Sequence, residues 1–232
     1  MSLARVVEPE FLDHMAADDP RAIRHRRDLK RINAVIQQSG IMAGALARYW
    51  SQSAPRTLLD LGSGDGTFML RVARRLASRW PDVTVTLLDQ QNIVSGGTRE
   101  AFAALGWKAE PVRADVFEYL AGMRGTKLGA ITANLFLHHF SPEQLKALMA
   151  FAAQSTRLFV ACEPRRNKFA LELSRLLWVI GCSDIACKDA IISVRAGFRG
   201  KELSAGWPTQ GGWELKEDAA KLFTHRFVAR AT

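Results

Sequence analysis

Three glycines within five residues, Gly62, Gly64 and Gly66, follow a short apolar segment that contains Asp60. Glycine lets a backbone turn sharply and lets a ligand approach where a Cβ would block it, and the amides of the next helix would face that ligand. The pattern is typical of a cofactor-binding turn, to which Asp60 adds a carboxylate. A nicotinamide or flavin site and a purely structural turn share the same local pattern and stay open at this point.

Polar side chains recur where successive predicted strands end, namely at Asp60, Asp89, Asp115 and Asn134. Ligands of open parallel sheets bind at the carboxyl ends of the strands, so we expect these side chains to converge on one site. Asp89 lies 23 residues after Gly66, where a carboxylate can accept hydrogen bonds from ribose hydroxyls. Each aspartate alone fits a helix cap equally well, and only their ordered recurrence favours a binding site.

Three side chains near the predicted ends of strands four and five could accept a proton. His138 and His139 follow strand four, and Glu163 follows strand five. An unperturbed imidazole titrates near neutral pH, which suits a general base. We favour His139, then His138, with Glu163 as the next candidate. A structural role, in which one histidine hydrogen-bonds to the backbone, is the alternative.

An alternation of strands and helices that begins at Arg56 would position these residues. This order is typical of a mostly parallel sheet with helices on both faces. Alternating apolar residues near the C-terminus predict an antiparallel hairpin at the sheet edge, over residues 213–217 and 222–229. The other predicted strands are residues 57–61, 83–88, 109–113, 129–133 and 157–162. The predicted helices are residues 67–80, 92–105, 116–123, 141–154 and 168–180.

The chain before Arg56 is predicted to form helices outside the sheet. Asp19 and Pro20 fit an N-cap and the first helical position, and a helix over residues 20–38 follows, which we expect Gly40 to end. A second helix is predicted over residues 41–51. We therefore assign residues 1–55 to an N-terminal helical cap and residues 56–232 to the main domain, with a loop-and-helix insertion at about 181–212 on the substrate side.

The segments at the strand ends resemble the motifs of class I S-adenosylmethionine-dependent methyltransferases, which have a seven-stranded Rossmann-like α/β fold. Residues 59–66 resemble the first motif, 87–90 the second, 113–117 the third and 133–140 the fourth. The resemblance implies S-adenosyl-L-methionine as the cofactor. It further implies a cofactor site in which Gly62, Ser63 and Gly64 lie along the methionyl part, Asp89 holds the ribose, and Asp115 with Val116 meets the adenine. The motif residues Asp60, Gly66, Gln90 and Asn134 complete this predicted site.

The glycine spacing weakens the nicotinamide alternative. Dinucleotide-binding turns carry the pattern Gly-x-Gly-x-x-Gly. If Gly62 and Gly64 were its first two glycines, the third would fall at position 67, which is occupied by Thr67. The spacing Asp-x-Gly-x-Gly-x-Gly, which starts at Asp60, is the one found in the methyltransferases that the chain resembles.

Acceptor recognition is predicted for the N-terminal cap and the insertion. Arg195 and Phe198 lie together in a turn-rich segment, where an arginine could bind a carboxylate or phenolate and a phenyl ring could stack on an aromatic acceptor. A loop held by salt bridges is the alternative. Segments 27–33, 163–166 and 193–198 also resemble bacterial enzymes of the methyltransferase type 11/12 kind that are associated with aromatic polyketide or other phenolic secondary metabolism.

Composition limits the other possibilities. The 232 residues are 48% hydrophobic, enough for a sizeable core, and neither a run of 18 apolar residues nor an apolar leader occurs, so we expect a cytoplasmic protein without a membrane span. The cysteines are too few and too irregularly spaced for a disulfide framework or a zinc cluster; they are Cys162, Cys182 and Cys187.

The formal net charge is +9, and much of the excess lies in residues 21–31, which contain five arginines and one lysine. This basic segment fits either a solvated helix or a surface that recruits an anionic partner, such as nucleic acid or an acidic membrane.

The sequence thus favours methyl transfer to a small molecule, at a phenolic or polyketide-like hydroxyl or an activated carbon. An RNA or protein methyltransferase and a non-catalytic cofactor-binding scaffold are the alternatives. Nucleic acid is not the expected acceptor, because the Pro-Pro-aromatic turn of amino-directed enzymes is replaced here by residues 134–137. No metal is expected, because no acidic pair with a nearby asparagine follows strand four, and the sequence does not determine the oligomeric state.

Overall fold

The computed structural model describes residues 3–50, 55–123 and 125–232. These form a seven-stranded sheet with the order β3-β2-β1-β4-β5-β7-β6. Strands β1 to β5 run parallel, while β7 is antiparallel to β5 and β6 is antiparallel to β7. The predicted mostly parallel sheet with a C-terminal hairpin is therefore confirmed. The strands are β1 Thr57–Leu61, β2 Thr84–Asp89, β3 Lys108–Arg113, β4 Leu128–Asn134, β5 Thr156–Pro164, β6 Trp213–Ala220 and β7 Thr224–Ala231.

Helices cover both faces of this sheet. Neighbouring residues of β1 point to opposite faces, so Leu58 packs in one hydrophobic cluster with α2 and α3, and Leu59 packs in another with α6. The α-helices are α1 Pro20–Val35, α2 Gln38–Tyr49, α3 Thr67–Leu76, α4 Gly96–Ala103, α5 Val116–Gly122, α6 Pro142–Ser155, α7 Lys168–Ser174, α8 Asp184–Ala196 and α9 Glu202–Gly206. Three 3₁₀ helices are Phe11–His14, Leu137–His139 and Leu177–Ile180. None of the helices in the described ranges is long and apolar enough to cross a membrane.

Local signals located several helix starts correctly. The Asp19 carboxylate accepts the Arg21 N–H, with Pro20 as the first residue of α1. At α6, Ser141 and Gln144 form the capping box that the sequence pattern indicates, with each side chain bonded to the other residue's backbone amide.

Other predicted boundaries were wrong. The first helix ends at Val35, because Gln37 adopts a left-handed conformation with φ 57°, and Gly40 lies inside α2. The predicted end of α2 at residue 51 lies outside the described residues. Strand β5 is longer than expected and contains Glu163, and the single helix predicted over 168–180 is divided into α7 and a 3₁₀ helix. The segment at about 181–212, predicted as a loop-and-helix insertion, does contain helix, including the 13-residue α8.

The N-terminal helices have different environments. Helix α2 buries Met42, Ala45 and Leu46 completely, in the cluster that covers one face of the sheet. Helix α1 buries little apolar surface, and its Arg26, Lys30 and Asn33 line a cavity at the carboxyl ends of the strands. Residues before Arg56 therefore contribute both to the sheet's core and to the cavity wall.

Candidate cofactor and acceptor site

The glycine turn after β1 requires glycine at its first position. Gly62 has φ 67°, and a Cβ there would lie 2.2 Å from Cδ2 of Phe136. Gly64 and Gly66 also have positive φ, of 56° and 74°, and Gly66 is the N-cap residue of α3. The turn is closed by hydrogen bonds from Ser63 N–H to the Leu88 carbonyl and from Gly66 N–H to the Ser63 carbonyl, both at 3.0 Å.

Replacing Gly62 with alanine is expected to lower the free energy of unfolding by about 2–4 kcal/mol, because a left-handed backbone and a steric overlap both oppose the methyl group. Gly44→Ala is the matched control, since Gly44 lies within α2 and a Cβ there meets nothing within 4 Å. That change is expected to be neutral or stabilising by up to about 1 kcal/mol. Urea denaturation of both variants measures the difference, and equal stability would contradict the steric account.

Asp89 ties the glycine turn to the end of β2. One of its carboxylate oxygens accepts the Gly64 N–H at 2.8 Å, and the other accepts the Gln91 N–H at 2.8 Å. The residue also lines the cavity. A carboxylate offers about four acceptor positions, so both oxygens retain capacity for hydroxyl groups of a ligand.

Asp60 lies beneath the turn and does not line the cavity. Its side chain is buried and accepts a hydrogen bond from the Thr132 hydroxyl at 2.7 Å. Burial raises the pKa of Asp60 to about 7, opposed by the Thr132 hydrogen bond and assisted by the negative charge of Asp89. The structure thus places this predicted cofactor residue where it supports the turn and the β1–β4 pairing instead of facing a ligand.

Asp115 caps a helix, the alternative that the sequence left open for each aspartate. Its Oδ1 accepts the N–H groups of Phe117 and Glu118 at 2.8 and 3.2 Å, and its Oδ2 accepts a hydrogen bond from the Gln90 side chain at 3.3 Å. Val116, the next residue, lines the cavity, whereas Asp115 does not. Asp115 therefore acts on this wall through α5 and Gln90.

The cavity has a volume of about 500 Å³ and lies beside the point where the strand order reverses, between β1 and β4. Ligand sites in open α/β sheets occur at this position. The predicted residues that line it are Gly62, Ser63, Gly64, Asp89, Gln90, Val116, Asn134, His138 and His139. The predicted residues that do not line it are Asp60, Gly66, Asp115, Glu163, Arg195 and Phe198.

Four buried polar atoms on the cavity wall have no hydrogen-bond partner among the described residues. They are Nη1 of Arg26, Oδ1 of Asn33, Oγ of Ser63 and Oδ1 of Asn134. Buried polar groups are nearly always hydrogen-bonded in proteins, so these atoms indicate a wall built for a polar ligand. Two of these atoms, from Arg26 and Asn33, lie on α1. The sequence patterns did not identify either residue as part of the site.

His138 lies between two carboxylates. Its Nδ1 is 2.8 Å from Oε2 of Glu163, and its Nε2 is 3.2 Å from Oε1 of Glu10. Burial lowers the pKa of His138, but the hydrogen bonds and charges of Glu10 and Glu163 outweigh this and raise it to about 9. Because the ring is already protonated at neutral pH, His138 is poorly suited to accept a proton from an acceptor.

Glu163 fixes the turn that carries both histidines. It is fully buried, and its Oε1 accepts the N–H groups of Phe136 and Leu137 at 3.1 and 2.9 Å, while Oε2 faces His138. The side chain does not line the cavity. These contacts point to a positioning residue instead of the base for which it was the third candidate.

Glu10 was missed by the sequence patterns. It is 7% exposed and accepts hydrogen bonds from His138 and from the Ser193 hydroxyl. Burial raises the pKa of Glu10, but His138 and the other partners lower it further than burial raises it, to about 2. The 3₁₀ helix Phe11–His14 that follows Glu10 is anchored by Asp189, which accepts the N–H groups of Phe11 and Leu12.

The ion pairs of His138 are expected to make stability depend on pH. Its folded pKa of about 9 is above the ordinary value of 6.5, so the contribution is complete below about pH 6.5 and is lost as the pH rises through about 9. A loss of at most about 3 kcal/mol follows from that shift. Denaturant titrations from pH 6 to 10 should show a steeper decline for the native chain than for His138→Gln. The exposed His14→Gln control should follow the native curve, and parallel curves for all three proteins would contradict the assignment.

His139 faces the cavity from the same turn and has 28% of its side chain exposed. Its Nε2 lies 3.8 Å from Oε1 of Glu10, and its Nδ1 lies 3.7 Å from Oδ2 of Asp13. Burial lowers the pKa of His139 below its usual value, and the charge of His138 lowers it further. A neutral imidazole that reaches the cavity can accept a proton.

The two residues predicted for acceptor binding lie elsewhere. Phe198 is 2% exposed, and its ring packs under the Arg5 guanidinium at 4.7 Å. Arg195 is exposed at the end of α8. Aromatic side chains do line the cavity, but they come from the turn after β4 and from α3, namely Phe136, Phe140 and Phe68.

Comparisons with known proteins are informative only at the level of structure. No protein-family model matches the sequence, and no curated protein matches it. Solved structures do match. An O-methyltransferase family protein from Burkholderia thailandensis has a TM-score of 0.60 at 16% identity, with 93% of this chain and 61% of that chain covered.

Two further solved structures show the same likeness. The plantazolicin methyltransferase BpumL, solved in complex with SAH, has a TM-score of 0.62 at 12% identity, with 93% of this chain and 92% of that chain covered. The mitomycin 7-O-methyltransferase MmcR has a TM-score of 0.61 at 16% identity, with 95% and 60% covered. This chain thus spans about three fifths of the Burkholderia protein and of MmcR. Together with the strand order, these likenesses show that the chain has the fold of the class I S-adenosylmethionine-dependent methyltransferases.

Proposed function

We propose that this protein binds S-adenosyl-L-methionine and transfers its methyl group to a hydroxyl of a small phenolic or polyketide-like acceptor. The observation that carries the proposal is the cavity itself, which joins the glycine turn and Asp89 on one side to a neutral His139 on the other. The solved structures of similar fold include O-methyltransferases and a complex with SAH, which supports the cofactor and a hydroxyl acceptor.

The cofactor fits the residues that are present. The open space beside Gly64, where a Cβ would meet nothing within 4 Å, suits the methionyl chain, and the spare acceptor positions of Asp89 suit the ribose hydroxyls. The unpartnered Nη1 of Arg26 suits the methionyl carboxylate, since charged hydrogen bonds are among the strong ones. Gln90 and Val116 form the wall assigned to the adenine, and Oδ1 of Asn134 offers a further acceptor.

When bound, S-adenosylmethionine supplies an electrophilic methyl group on a positively charged sulfur. The chain itself orients the acceptor among Phe136 and Phe140, and His139 accepts the proton that the hydroxyl loses as its oxygen bonds to carbon. Glu10, Glu163 and the protonated His138 hold the turn. Burial and the charge of His138 lower the pKa of His139, and the charges of Glu10 and Glu163 oppose this shift. The acceptor thus loses one proton to His139 and gains one methyl group, so it stays neutral, and the sulfonium would become a neutral thioether.

Two measurements test the function in sequence. Calorimetry with S-adenosylhomocysteine should show one site per chain, and the absence of binding would remove the proposal. Label from S-[methyl-³H]adenosylmethionine should then enter some member of a panel of phenols, polyketide-like acids and quinone precursors. Label that enters only RNA or protein would favour a macromolecular acceptor, an alternative consistent with the net charge of +9. Cofactor binding without transfer to any acceptor would favour a non-catalytic scaffold.

The transfer assay should also be run with a chelator. The donor atoms of Glu10, His138 and His139 lie within 4.8 Å of one another, a spacing that could hold a divalent ion. Because the proposal assigns proton removal to His139, chelation should leave the rate unchanged. A rate restored only by added metal would reassign these three residues as ligands.

A further inference from the structure

Six large apolar side chains lie exposed in the 3₁₀ helix Leu177–Ile180, at the residue before it, on α7 and in the turn between β6 and β7. Their exposed fractions range from 41% for Ile180 to 65% for Val179, and they form what we call the apolar surface: Phe169, Leu176, Trp178, Val179, Ile180 and Leu222. Most of the described chain buries its large apolar side chains in the two clusters on the sheet. Exposed apolar residues that lie together, instead of singly, mark interaction sites.

Chain order and two contacts connect these residues. Phe169 stacks on Phe223 with ring centroids 6.2 Å apart, which joins α7 to the turn between β6 and β7 that carries Leu222. Nη1 of Arg31 donates to the carbonyl of Gly181 at 3.1 Å, so α1 lies beside the 3₁₀ helix.

The border of the apolar surface is mainly basic. Exposed cations adjoin the surface: Arg31 bonds to Gly181, and Lys168, Arg175 and Lys221 are each next in sequence to one of its residues. The acids nearby are fewer: Glu172 is paired with Arg175 at 2.9 Å, Asp28 is paired with Arg31 at 3.1 Å, and Asp184 opens α8. The basic segment of α1 therefore has two environments. Arg26 and Lys30 line the cavity, whereas Arg31 contacts Gly181, and the exposed Arg27 lies one helical turn before Arg31 on the same helix face.

An apolar turn with a basic border matches the chemistry of an anionic lipid surface. Apolar side chains can enter the boundary between headgroups and acyl chains, while lysine and arginine contact phosphates. Trp178, with 62% of its surface exposed, has the side-chain type enriched at membrane–water interfaces. A second copy of the chain fits less well, because two such borders would bring cations of like charge together.

We propose that the apolar surface docks this protein peripherally on a bilayer that contains anionic lipids. Helix α1 lies between this surface and the cavity, so docking places the cavity close to the lipid. The proposal concerns binding to lipid and stands independently of the methyl-transfer activity.

Co-sedimentation with vesicles tests the proposal directly. The full chain should pellet with vesicles of phosphatidylglycerol and phosphatidylcholine, and pelleting should fall with vesicles of phosphatidylcholine alone and with added salt. The double variant Trp178→Ser, Val179→Ser should lose at least about tenfold in vesicle affinity, because it lacks two apolar side chains that enter the interface. Val7→Ser is the matched control, since Val7 is an exposed valine outside the apolar surface.

Two further variants test whether the basic border contributes to vesicle binding. Arg27→Gln should weaken binding several-fold, whereas Lys146→Gln, which changes an exposed lysine of α6 outside the apolar surface and its border, should not. Thermal melts should confirm that all variants fold. Quenching of tryptophan fluorescence by brominated lipid should be lost in Trp178→Phe while pelleting persists.

Three results would overturn the proposal. They are equal pelleting of the native chain and the Trp178/Val179 double variant, equal pelleting with anionic and neutral vesicles, and a dimer that the double variant abolishes without any vesicle binding. The last result would assign the apolar surface to a second copy of the chain.

Discussion

Asp89→Ala is expected to weaken the affinity for S-adenosylhomocysteine by about 100-fold or more. The carboxylate at the end of β2 is assigned two hydroxyl hydrogen bonds, and each bond to a charged group contributes about 1.5–3 kcal/mol. The variant also frees the N–H of Gly64, which Asp89 accepts at 2.8 Å, so the turn itself loosens. Calorimetry on the native chain and the variant measures the loss.

Asp115→Ala is the matched control for Asp89→Ala. It removes a carboxylate that caps α5 outside the cavity, so it should lower the free energy of unfolding by about 1 kcal/mol and change affinity only a few-fold. Melting curves without ligand show how much of each loss comes from stability. Undiminished affinity in Asp89→Ala would remove the ribose assignment, and equal losses in both variants would show that the effect is not specific to Asp89.

His139→Ala is expected to lower the rate of methyl transfer by about 10²–10⁴-fold while leaving the affinity for S-adenosylhomocysteine unchanged. A general base contributes on that scale, and His139 is the histidine with a pKa lowered by burial and by the charge of His138. The native rate should rise with pH to a plateau, with a midpoint below the ordinary pKa of 6.5, because the neutral ring is the active form. The variant should lose this dependence.

A second variant separates the base from its support. In His138→Gln the positive charge beside His139 is gone and Glu10 stays close, so the pKa of His139 should rise and the rate profile should move to higher pH. His14→Gln, which replaces an exposed histidine of the 3₁₀ helix Phe11–His14, should reproduce the native profile. If the rate of His139→Ala stays within a few-fold of the native rate, His139 is not the general base and this turn only positions the reactants. A His138→Gln profile that does not move would break the electrostatic link between the two histidines.

The sequence by itself determined the mostly parallel sheet with its C-terminal hairpin and the strand-end wall of the cavity. The glycine turn, the acids at strand ends and the alternating C-terminal residues are local features, because turns, caps and period-two patterns act over a few residues. They were sufficient to predict the parallel sheet, its antiparallel hairpin and the convergence of Gly62, Asp89 and Asn134 on one cavity.

The tertiary structure alone decided which candidates reach that cavity. Glu10 meets His138 across 128 residues, and Arg26 reaches the wall from a helix outside the sheet, contacts that no local periodicity encodes. Burial and neighbouring charges also distinguish residues that look alike in sequence. Asp60 is buried while Asp89 lines the cavity, and the pKa of His138 is raised while that of His139 is lowered. Solvation and charge at a residue depend on neighbours brought together by folding, which is why sequence could name the candidates and only the packed structure could assign their roles.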